Sequence, residues 1–238
     1  LAIILPEQSG FLENDLQVEA VSGDASFRRY FRAVSGGRSW IAVDAPPDKE
    51  DSAPFIQVAE ALQAADVNVP QIYAYDLSLG FMLLGDFGDE LFLPKLQLDT
   101  VDELYGQAIN SLLKIQACNP LNGYVLPLYD QPLLQREVEL FREWFLQKLL
   151  GLSLDEMDHQ LADFLFNYII DSALEQPSVF VHRDYHSRNL MYLKDQPPGI
   201  IDFQDAVKGP ITYDLVSLLR DCYINWPEEK VSQWVEEF

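Results

Sequence analysis

Apolar and polar residues alternate in the first third of the chain and then give way to a helical repeat. Residues 16–21 (LQVEAV) alternate apolar and polar and read as a strand, residues 28–34 (RRYFRAV) resume strand character, and residues 40–43 (WIAV) read as a third strand. Ser35-Gly36-Gly37-Arg38 between the second and third has the paired glycines of a tight hairpin turn. Asp44-Ala45-Pro46-Pro47 closes the third strand, because proline cannot donate to a ladder. Residues 54–65 then read as a helix, with Phe55, Val58, Ala59 and Leu62 on one face and Pro54 suited to its first turn. Residues 71–75 and 81–84 return to strand character.

The pattern changes at Gly85-Asp86-Phe87-Gly88-Asp89, which has two glycines and no periodicity and reads as a hinge. Beyond it, residues 100–117 carry Leu104, Ala108, Leu112 and Ile115 at helical spacing. Residues 134–149 place Leu134, Val138, Phe141, Phe145 and Leu149 on one stripe, and residues 161–174 do the same with Leu161, Leu165, Tyr168 and Ile169. These stripes, with Trp144, are expected to be core. A short hairpin follows, Leu190–Leu193 against Ile200-Ile201 across the turn Asp195-Gln196-Pro197-Pro198-Gly199, and a helix is expected over 212–222. The expected class is α+β in two lobes. Residues 1–85 form a five-stranded antiparallel sheet with one inserted helix, and residues 86–238 form a mainly helical lobe around the hairpin. A cleft at the hinge is the expected ligand site.

A chain of 238 residues with 48% apolar and 12% aromatic content is expected to fold around a substantial core. With 16 Lys+Arg against 38 Asp+Glu the net charge is -22, a field that repels polyanions and argues against a nucleic-acid partner. No apolar run approaches membrane-spanning length, and no segment suggests an obligate protein partner. Cys118 and Cys222 stand in no metal or redox spacing, which suits a reduced cytoplasmic protein. The first residue is not Met and the last residues, EEKVSQWVEEF, read as a helix without a stop signal, so truncation is expected at both ends.

The chemistry concentrates in residues 179–206. His182, Asp184 and Asn189 stand in the spacing H-x-D-x-x-x-x-N, and the hairpin then delivers Asp202 beside them. Magnesium-assisted phosphoryl transfer needs a carboxylate to take up the attacking hydroxyl's proton and hard oxygen ligands for the metal. Asp184 is the candidate base, and Asn189 and Asp202 are the candidate magnesium ligands. His182 is read as a buried structural histidine, and Asp214 as a helix cap or a brace of the catalytic loop. The turn at residues 22–26 is small enough to lie over a phosphate with its backbone N–H groups as donors.

HRDYHSRN with IDFQDA resembles the aminoglycoside phosphotransferase and choline kinase branch of the protein-kinase-like fold. SGDASFRRYFR and DAPPDKED narrow the resemblance to bacterial sugar kinases of cell-wall recycling, which phosphorylate N-acetylmuramate and N-acetylglucosamine at the anomeric hydroxyl. The resemblance implies ATP and Mg2+ as cofactors and a small-molecule acceptor. It implies a phosphate-covering loop of Ser22, Gly23, Asp24, Ala25, Ser26 and Phe27, and an adenine-contacting linker at residues 83–86 that includes Leu84. One feature departs from the family pattern: the third strand, WIAVDAPP, lacks the lysine that usually meets the phosphates, and Glu60 has no partner there. Arg28 or Arg32 on the neighbouring strand, which share a face, Arg29 on the other, or Lys49 is the candidate replacement. Tyr185, His186 and Arg188 are the nearest candidates for contact with the acceptor. Two other readings stay open: a kinase for an aminoglycoside, choline or another small alcohol, and an inactive nucleotide-binding protein.

Overall fold

Three antiparallel pairs of consecutive strands and one helical crossover build the sheet. The computed structural model describes residues 15–21, 27–119 and 123–238. β1 (Gln17–Ala20), β2 (Arg29–Ser35) and β3 (Arg38–Asp44) run antiparallel in sequence order. The turn between β2 and β3 holds Gly36 and Gly37 at φ 56° and 75°, a region that glycine enters without strain. The helix α1 (Ala53–Ala64) follows, then β4 (Ile72–Asp76) and β5 (Phe81–Gly85), and the strand order is β1-β2-β3-β5-β4. Pro54 sits in the first turn of α1, as expected of a residue with no N–H to lose.

α1 buries Phe55, Ile56, Val58, Ala59, Ala61 and Leu62. These join one core with Val43, Met82 and Leu84 of the sheet, and that core continues through Tyr105 and Leu112 to Tyr185, Leu190 and Phe203. Each such side chain contributes about 1.5–3 kcal/mol on burial, so sheet, helix and site loop are held by the same apolar cluster. The rings of Phe55 and Phe203 lie 4.8 Å apart, which ties α1 directly to the segment after Asp202.

After the sheet come α2 (Val101–Ala117), α3 (Gln131–Leu140), a π-helical segment (Phe141–Leu149) and α4 (Glu156–Leu174). The strands β6 (Ser178–Val181) and β9 (Val207–Pro210) pair with each other, as do β7 (Leu190–Met191) and β8 (Gly199–Ile200). The chain closes with α5 (Tyr213–Leu219) and α6 (Glu228–Glu237). Trp234 of α6 is fully buried with its ring 4.8 Å from that of Tyr105, and Trp226 donates to the Tyr105 hydroxyl at 3.2 Å. Gly199 in β8 lies against Phe87 so closely that a Cβ there would sit 2.6 Å from the ring, and the segment at residues 85–89 thereby rests on the hairpin.

The α+β class and the antiparallel five-stranded sheet are as expected, and the short hairpin is displaced by one residue from the expected Ile200-Ile201. Two expectations are corrected. Residues 134–149 do not form one α-helix, since α3 passes into the π-helical segment at Phe141. The two stripes expected in the core are also largely exposed. Leu134 is buried, but Leu149 is 73%, Leu161 58% and Tyr168 70% accessible, and Phe141, Trp144, Phe145, Leu165 and Ile169 are exposed too. The buried residues of α4 are Phe166 and Ile170, on the side that meets β6 and β9. Helical periodicity groups residues onto a face without specifying what lies against it, and among the described residues nothing covers this one.

Candidate active site

β6 ends at Val181, and residues 182–189 cross to β7 over the core. His182 opens the loop fully buried, with Nε2 3.1 Å from the carbonyl oxygen of Ile201. Burial lowers its pKa from 6.5 to about 3, so the ring is neutral. This bears out the structural role expected of it. It also fixes a sign. Below pH 6.5 the unfolded ring binds a proton that the native ring refuses, so stability falls as pH drops from there toward the folded value. Wild type is expected to lose about 1.4 kcal/mol per pH unit more than His182→Gln over that range, measured by chemical denaturation at stepped pH. Equal slopes for the two proteins would show that His182 is not buried neutral.

Asp214, in the first turn of α5, is completely buried. Its carboxylate accepts the N–H groups of His182 at 2.7 Å and Arg183 at 3.0 Å. Burial pushes its pKa up to about 7 against the pull of those two bonds. Of the two roles foreseen for Asp214, it is the brace of the loop. It accepts the N–H of Arg183, whose φ of 77°, a left-handed conformation rare outside glycine, sits directly before Asp184. A second brace had no sequence signal. Asp221 accepts the N–H of Ser187 at 2.9 Å and also its hydroxyl. Arg183 is further tied to Glu137 of α3 at 2.9 Å.

Asp184, Asn189 and Asp202 come together as expected. The Asn189 side-chain amide donates to the backbone oxygen of Asp184 at 3.0 Å and to Asp202 at 3.3 Å. Gln204 donates to the other Asp202 oxygen at 2.7 Å. Asp202 has φ 65°, again a strained value for a non-glycine residue. Burial raises the Asp184 pKa, and the nearby Asp202 carboxylate raises it further. Two half-buried carboxylates beside an amide oxygen form a hard, anionic donor set with few protein ligands, which suits magnesium.

A cleft of about 390 Å³ runs between the sheet and this loop. Val21, Tyr30, Ile41 and Leu84 form its roof, Met191, Ile201 and Phe203 its floor, and Asn189 and Asp202 one end. Gly85, Asp86, Phe87 and Gly88 form its back. Arg32 also lines it, with its guanidinium on Asp86 at 2.6 Å and on Asp89 at 2.8 Å. Arg28 is nearly buried and sits 3.5 Å from Glu50, while Arg29 is paired outside with Asp44. Phe27 is exposed, and Ser22, Gly23, Asp24, Ala25 and Ser26 lie outside the described residues. Of the three candidates for acceptor contact, Tyr185 is a correction. It is fully buried and its hydroxyl donates to the Ala108 oxygen at 2.7 Å, because the loop uses this ring as its anchor in the core. His186 is half-buried against Tyr223, and Arg188 is exposed with its guanidinium 4.9 Å from the centre of the same ring.

The sequence profile of the Phosphotransferase enzyme family matches residues 17–238. The chain is 46% identical over 219 residues to an N-acetylmuramate/N-acetylglucosamine kinase of Pseudomonas putida, covering 92% of this chain and 64% of that protein. It is 46% identical over 210 residues to the protein of the same name from Pseudomonas aeruginosa, covering 88% of this chain and 61% of that protein. The chain therefore spans less than two thirds of the length of either relative. Among solved structures, the ADP-bound aminoglycoside phosphotransferase APH(2'')-Ib shares the fold, with a TM-score of 0.64 at 15% identity over 93% of this chain and 76% of that one.

Proposed function

We propose that this chain, which belongs to the phosphotransferase enzyme family, transfers the γ-phosphate of ATP to the anomeric hydroxyl of N-acetylmuramate and N-acetylglucosamine. The observation that carries the reading is the meeting of Asn189 and Asp202 at one end of the cleft, with Asp184 held beside them by the Asn189 amide and close enough to Asp202 for the two carboxylates to interact. The relatives of this chain, N-acetylmuramate/N-acetylglucosamine kinases, supply the sugar. The place of the reaction is cell-wall recycling in the cytoplasm, and no partner beyond the small-molecule substrate is needed.

The roles follow from the positions. Asp184 accepts the proton of the attacking hydroxyl, a task that its raised pKa favours. Asn189 and Asp202 would hold Mg2+, which when bound neutralises the phosphate oxygens. Residues 1–85 form the nucleotide lobe and residues 86–238 the catalytic lobe, hinged at 85–89. The purine lies between Ile41 and Leu84 above and Met191 and Ile201 below, and the loop at residues 22–27 covers the phosphates. His186 and Arg188, on the exposed side of the loop, face the acceptor.

ADP release measured with N-acetylmuramate, N-acetylglucosamine, kanamycin and choline in parallel tests this reading. Turnover on both sugars is expected. Turnover on kanamycin or choline alone would assign the acceptor to a cationic alcohol, which the net charge of -22 would attract. No turnover on any of the four, with no difference between wild type and Asp184→Asn, would mark an inactive nucleotide-binding protein.

A further inference from the structure

Arg183 stands directly before Asp184 and is held at both of its ends. Its backbone N–H, at φ 77°, donates to Asp214 in the first turn of α5. Its guanidinium donates to Glu137 of α3 at 2.9 Å and to the carbonyl oxygen of Asp205 at 3.4 Å, and lies 5.8 Å from the centre of the Tyr129 ring. We propose that Glu137 is a positioning residue for phosphoryl transfer, acting through Arg183 on the pose of Asp184. The inference rests on the kinase reading above and deepens it.

Three observations converge. First, Arg183 needs a restraint. A residue other than glycine keeps a left-handed backbone only where its surroundings over-determine it, and a rotation about that φ would carry the next residue, Asp184, with it. Second, Glu137 is itself fixed. One of its oxygens takes the Arg183 guanidinium, and the other accepts the hydroxyl of Tyr129 and, at 3.5 Å, that of Tyr213. The two tyrosine rings lie 5.0 Å apart. Tyr129 is buried, its N–H donates to the Lys208 oxygen of β9 at 2.9 Å, and a Cβ on Gly209 would sit 2.7 Å from its own. The Arg183 and Glu137 side chains are only 26% and 27% accessible, so solvent screens their attraction less than that of a surface pair. Third, the two braces share a frame. Tyr213, which donates to Glu137, immediately precedes Asp214, which accepts the Arg183 N–H. The backbone and the side chain of Arg183 are therefore both referred to the start of α5, and α3 completes the clamp.

The test measures kcat and KM for N-acetylglucosamine and Mg·ATP, and amide hydrogen exchange over residues 182–189 by mass spectrometry. The proteins are wild type, Glu137→Ala, Glu137→Gln, Arg183→Ala and the double variant Glu137→Ala/Arg183→Ala. Glu139→Ala is the control, two residues along the same helix, where Glu139 pairs with Arg142 at 3.3 Å. Glu137→Ala is expected to lower kcat by about 10–50-fold, the size of a lost charge-assisted bond, with both KM values within about threefold of wild type. Exchange over residues 182–189 should become about 3–10-fold faster. Glu137→Gln keeps an acceptor for Arg183 and should lose only about 3–10-fold in kcat, and it carries the test if the alanine variant does not fold. The double variant should be no slower than the slower single variant, because both changes remove the same link. Unchanged kcat in the Glu137 variants, a rise in KM in place of the fall in kcat, or an equal loss in Glu139→Ala would overturn the assignment. Wild type that phosphorylates neither sugar, with exchange still faster in Glu137→Ala, would sink the proposed function and leave the brace standing.

Discussion

Asp184→Asn is expected to lower kcat by about three to four orders of magnitude, at the upper end of what a positioned general base supplies. The side chain keeps its size, and the surrounding loop has no reason to move. Its described backbone links, the Asn189 amide and the His186 N–H on the Asp184 oxygen and the Asp184 N–H on the His182 ring, do not involve the carboxylate. What disappears is the group able to accept a proton, in a position where burial and Asp202 hold that group more basic than an ordinary aspartate. Nucleotide affinity should stay within about threefold of wild type, or improve slightly as one negative charge leaves the phosphate end. Single-turnover kinetics alongside an ADP titration separate the two quantities. A variant with near-normal turnover would mean that Asp184 is not the base.

Asp214→Ala is expected to have the largest effect on the scaffold. It serves two N–H groups, those of His182 and Arg183, and leaving each unpaired costs about 1–3 kcal/mol. Part of this is returned, because a carboxylate whose pKa is pushed up to about 7 is itself uncomfortable in the core. The net loss should be about 2–4 kcal/mol, a fall in Tm of about 5–10 °C for a chain of this size. Activity should fall further than stability, since the N–H of Arg183, at φ 77° directly before Asp184, loses its acceptor. Asp214→Asn keeps one oxygen acceptor and should fall between. A Tm unchanged in Asp214→Ala would show that the loop is held by other means.

The amino-acid order alone was enough for everything that depends on neighbours in the chain. Alternation in the first strand and strand-like runs bounded by turn residues after it found β1 to β5, paired glycines found the β2–β3 turn, and the spacing of His182, Asp184 and Asn189 with the following hairpin found the reactive centre. Each of these rests on contacts within a few residues, where periodicity and turn chemistry are direct physical causes. Tertiary structure decided what depends on elements far apart. Asp221 braces Ser187 across 34 residues, and Tyr185 is turned inward by a core assembled from α2, which lies 77 residues away at Ala108. Arg28 and Arg32 looked equivalent in the sequence until Glu50 and Asp86 took hold of one each. The apolar stripes of α3, the π-helical segment and α4 were visible, but whether a stripe is buried depends on a partner surface, which no periodicity contains. The reactive carboxylates are local in the chain; the pose that makes them useful comes from braces that only folding brings to them.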